Sequence, residues 1–74
     1  GPEHHEVAYP LHGLAILYKQ QGKYTEAEFL YQRALSIREE ALGPEHRLTV
    51  ATQASYQRLL QDWKKAEGES EAKK

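Results

Sequence analysis

The chain has 74 residues, no cysteine and a formal net charge of -1, which allows one small domain with no disulfide and no thiolate zinc site. Residues 1–42 carry four Lys/Arg against six Asp/Glu, and residues 43–74 six against five, so neither half has the basic footprint of a nucleic-acid binder. No apolar run approaches the roughly 18–20 residues that cross a bilayer, and no signal-peptide pattern opens the chain; the expectation is a soluble, cytoplasmic piece.

The first expected helix lies in Val7–Gln20. Leu11, Leu14, Ala15 and Tyr18 fall at i, i+3, i+4 and i+7, one helix face, and Ile16 and Leu17 fill neighbouring directions. A helix apolar on more than one side expects more than one neighbour. Pro10 is tolerated only in a first turn, so the helix begins near Val7–Tyr9. Gly22 reads as the residue just past its end.

The second helix is expected over about Tyr24–Leu42, with Glu26 and Glu28 near its positive dipole end. Ala27, Leu30, Tyr31, Ala34, Ile37 and Ala41 form its stripe, widened by Phe29, Leu35 and Leu42. The run Arg38-Glu39-Glu40 reads as a solvated face. Gly43-Pro44 stops the helix. A third helix is expected over about Arg47–Ala66, with Thr52, Tyr56, Leu59, Leu60 and Trp63 on one face. Residues 67–74 read as a charged, frayed, disordered tail.

The tetrapeptide Gly-Pro-Glu-His stands at Gly1–His4 and again, 42 residues on, at Gly43–His46. Two helices between duplicated loops are the mark of a solenoid whose units stack. GPEH reads as the loop between units, and the chain as one whole unit plus the first helix of a further one.

Leu11–Leu35, LHGLAILYKQQGKYTEAEFLYQRAL, resembles the tetratricopeptide repeat. Leu11, Leu14, Ala15 and Tyr18 match the first helix of that family, Gly22 and Tyr24 its turn, and Ala27, Tyr31 and Ala34 its second helix, with Leu30 packing beside them in the repeat. The 42-residue period, with Ile37–His46, is similar to the longer variant found in kinesin light chains. The resemblance implies an all-α, helix-turn-helix unit over 1–42, an inter-repeat loop and capping helix over 43–66, and the tail over 67–74: an α-solenoid fragment. Ala15 and Ala27 let the helices approach, and Tyr18, Tyr24 and Tyr31 fill the wedges around them. Beyond His46 the likeness weakens, and the third helix reads as a cap packed through Tyr56, Leu59, Leu60 and Trp63.

The four histidines, His4, His5, His12 and His46, show no H-x-x-x-H spacing on any helix, so no metal site is assigned. Asp62 is the single aspartate, neither Ser36 nor Ser55 has a histidine at a readable spacing, and no glycine-rich phosphate loop occurs; no catalytic residue and no cofactor is assigned. The resemblance implies a protein or peptide partner laid in a concave groove, at positions matched here by Tyr9, His12, Ile16, Lys19 and Gln20. The same five positions read equally as exposed or edge-packing residues. His12-Gly13 replaces the two asparagines of the kinesin light-chain pattern, whose amides can hold a peptide backbone. Gly13 within a helix suggests a close backbone approach or a smooth groove floor. A lone unit cannot cover its own apolar faces, which implies self-association, by stacking on the free first-helix face or by exchange of helices.

Overall fold

Ala15 and Ala27 are both fully buried, and they anchor one cluster with Tyr31 and Leu59. The computed structural model describes residues 8–72, apart from the side chains of Tyr9 and of residues 69–72. The helices are α1 (Ala8–Gln20), α2 (Tyr24–Leu42) and α3 (Arg47–Ala72), with no strand among the described residues. α1 packs against α2, and α2 against α3, with only a marginal approach of α3 to α1. The chain is therefore all-α, a helical hairpin carrying a third helix.

Each boundary has a local cause. Gly22, at φ +79°, closes α1: its N–H reaches the Lys19 carbonyl at 3.0 Å, and the Lys23 N–H reaches the Tyr18 carbonyl at 2.8 Å. This paired pattern satisfies carbonyls that a helix end leaves orphaned, and its positive φ suits glycine. Gly43, at φ +94°, ends α2 with its N–H on the Glu39 carbonyl at 3.0 Å. Three residues later His46 starts α3. Its ring Nδ1 accepts the Leu48 N–H at 3.1 Å, and its carbonyl accepts the Val50 N–H at 2.9 Å. GPEH at 43–46 is thus a stop and a start in four residues, with glycine closing one helix and histidine capping the next. The first GPEH, with His4 and His5, lies outside the described residues.

Tyr18, Tyr24, Leu30 and Tyr56 pack half-buried around the alanine cluster, and Leu11 is also half-buried. Leu59 of α3 reaches into it and is fully buried, worth roughly 1.5–3 kcal/mol for a side chain of this type. Thr52 is buried, while Leu60 and Trp63 are half-buried. Trp63 stacks on Tyr24 at 5.9 Å and 10°, and Tyr56 on Tyr31 at 6.5 Å and 28°.

Three expectations are corrected. Arg38 is not on a solvated face: it is 3% exposed, whereas Glu39 and Glu40 are exposed. The buried line of α2 is Ala27, Tyr31, Ala34 and Arg38, so the stripe turns onto Arg38 and leaves Ile37 half-buried and Ala41 exposed. Gly13 marks no close approach, because a Cβ added there meets nothing within 4 Å. The third helix does not stop at Ala66 but continues to Ala72. Glu and Ala favour a helix there, and Gly68 costs about 1 kcal/mol without ending it.

Replacing His46 by alanine removes the acceptor for the Leu48 N–H. The substitution is expected to lower unfolding stability by about 1 kcal/mol, measured by urea titration of the helical circular-dichroism signal.

Candidate binding groove

The α1 positions 9, 12, 16, 19 and 20 are spaced to lie along one side of that helix. The described side chains fall into two environments. Ile16 is 41% exposed, Gln20 is exposed, and Lys19 is half-buried. Lys19 Nζ meets Asp62 Oδ2 of α3 at 2.6 Å, and the other Asp62 oxygen lies 3.7 Å from Arg58 Nε. A shallow polar hollow, lined by Lys19, Tyr24, Asp62, Lys65 and Ala66, surrounds this bridge. The hydrogen bond from Lys19, with the charges of Lys19, Arg58 and Lys65, holds the Asp62 carboxyl below its usual range against some desolvation.

His12 turns the other way. It is half-buried, its ring edge-on to Tyr31 at 5.3 Å and 77°, and its Nδ1 lies 3.5 Å from Arg38 Nη1. Arg38 Nη1 also donates to the Thr52 hydroxyl at 2.5 Å and to the Leu48 carbonyl at 3.3 Å; the Thr52 hydroxyl donates to that same carbonyl at 2.9 Å. The cluster joins all three helices. The sequence signal for Arg38 was its spacing, since 27, 31, 34 and 38 run at i, i+4, i+7 and i+11. Its charge concealed that signal.

A second surface, unanticipated as a cleft, lies between α1 and α2. Leu14, Tyr18, Thr25, Glu26, Phe29 and Leu30 line a hollow of about 430 Å³, to which no described side chain of α3 contributes. Leu14, Leu17 and Phe29 are all exposed, Phe29 at 61%.

Among the described residues no three His, Asp or Glu side chains come together as a metal cage, and none of their helices is long and apolar enough to cross a membrane.

Burial, and secondarily the Arg38 charge, depress the His12 pKa below its ordinary value of about 6.5. The folded state therefore favours neutral His12. Its contribution is fully present above about pH 6.5, and it is lost as pH falls from there toward the lower folded-state pKa. A His12→Gln variant should lose less stability than the wild type between pH 7.5 and pH 5 in denaturant titrations at each pH. Equal losses would contradict the assignment.

No curated protein and no solved structure matches the chain. A family model described as tetratricopeptide repeat matches residues 7–48. The match spans one 42-residue period, takes in α1, α2 and the GPEH turn, and agrees with the helical hairpin and its buried alanines. Repeats of this kind are generally protein-interaction modules, and by sequence match and fold together the chain belongs to the tetratricopeptide-repeat family.

Proposed function

We propose that the chain is a protein-interaction or scaffold repeat, and that the face between α1 and α3 takes a peptide segment of a protein partner. Ile16, Lys19 and Gln20 contact the segment, Tyr9 extends that line, and His12 backs it from the interior. The observation that carries this reading is Ile16: a large aliphatic side chain 41% exposed, on the helix whose Lys19 is bridged to Asp62 of α3. An apolar anchor beside satisfied charges suits a peptide that buries one side chain and aligns polar groups around it. The reading includes no catalytic step, no cofactor, no nucleic acid and no membrane, and it places the chain in the cytoplasm. The kinesin light-chain-like period is part of it, but a partner held by paired asparagine amides is not, because His12-Gly13 stands at those positions.

A second reading is favoured by a separate observation, the exposure of Leu14, Leu17 and Phe29 around the α1–α2 cleft. On this reading the chain is a structural unit that associates with its own copies. Apolar patches of this kind commonly mark interaction sites.

Selection of displayed peptides on the 74-residue chain tests the first reading. It predicts enriched segments sharing an apolar residue, with affinity falling about tenfold or more in Ile16→Asp while the circular-dichroism spectrum is unchanged. Binding indifferent to Ile16→Asp, or no enriched segment, would contradict it.

A further inference from the structure

The α1–α2 cleft is an apolar packing face that no described residue of α3 covers. The 42-residue spacing pairs Pro10, Leu14 and Leu17 of α1 with Thr52, Tyr56 and Leu59 of α3. In α3 those three positions are the ones that pack onto the hairpin: Thr52 and Leu59 are fully buried, and Tyr56 lies against the core cluster. In α1 the counterparts are exposed. The side of the hairpin that could receive another copy's α1 in a head-to-tail stack is already covered by α3. A second folded copy can still offer this same cleft.

The rim of the cleft favours that partner. The Lys23 ammonium sits 5.5 Å from the centre of the Tyr18 ring, and Glu26 lines the hollow. One cation and one anion flank an otherwise apolar surface. About a two-fold axis such a rim is self-complementary, since each sign can meet its opposite on the other copy.

We infer that two copies dock cleft to cleft about a two-fold axis, with Phe29 of each entering the other's cleft between Leu14 and Leu30, and Lys23 of each facing Glu26 of the other. This rests on the self-association reading and specifies its surface.

Sedimentation velocity of the 74-residue chain, from micromolar to millimolar concentration, tests it, with circular dichroism confirming helicity of every variant. The wild type should pass from monomer to dimer. Phe29→Glu should weaken dimerisation about tenfold or more. Lys23→Glu and Glu26→Lys should each weaken it by about threefold or more, and the double exchange should recover most of that loss. A dimer unaffected by Phe29→Glu would overturn this interface while leaving self-association standing through another surface. A double exchange no tighter than either single change would overturn the two-fold pairing. A monomer throughout would overturn both the interface and the self-association reading, and leave the cleft to a different helical pair.

Discussion

The close approach of α1 and α2 at Ala15 and Ala27 is the constraint from which the remaining geometry follows. Helix axes pack some 8–10 Å apart according to the bulk at the contact, and Ala15 and Ala27, both fully buried, are the smallest side chains of the core cluster. Tyr18, Tyr24 and Leu30 pack half-buried around the pair, and Tyr31 shares the buried cluster with it. The hairpin is consequently thin and has two sides. α3 covers one by inserting Leu59 beside the alanines and stacking Trp63 on Tyr24. The other keeps its leucines and Phe29 in the open.

The attachment of α3 is polar at one end and aromatic at the other. Near its start, buried Arg38 joins His12, the Leu48 carbonyl and Thr52, so a charged side chain occupies what would otherwise be core. A buried cation is tolerated only with its donors engaged. These contacts set the register of α3 more sharply than aliphatic packing does, because sliding α3 by a residue would move Thr52 away from the guanidinium. Further along, Tyr56 accepts from Gln32 at 2.9 Å and donates to Glu28 at 3.1 Å, and Lys19 bridges to Asp62. The face between α1 and α3 is thus held by side-chain links between helices that touch mainly through α2.

Much of the fold was legible because it depends on residues with few alternatives. Glycine at 22 and 43 announces helix ends, alanine at 15 and 27 announces close packing, and the duplicated GPEH announces the period. The misreadings of Arg38 and of residues 67–72 share a cause, polarity taken as a sign of exposure or disorder. Arg38 was assigned by charge although its spacing places it inside. Of the two readings of Gly13, a close backbone approach or a smooth groove floor, the first is excluded, since a Cβ there meets nothing within 4 Å. Residues 67–72 were assigned by their polarity, although Glu and Ala propagate a helix without a core to bury. The proposed partner face was legible only as one side of α1, because its opposite wall depends on the register of α3, which the contacts of Arg38 and Asp62 hold in three dimensions.

The central claim is that methyl-sized side chains at 15 and 27 permit the hairpin. Ala27→Leu tests it most directly, because leucine keeps helix propensity and apolarity and changes only bulk. Thermal and urea unfolding of this variant should show a loss of about 1–3 kcal/mol or more, as overpacking forces the helices apart, with Leu59 and the Trp63–Tyr24 stack loosened. Unchanged stability, with unchanged tryptophan fluorescence, would contradict the account.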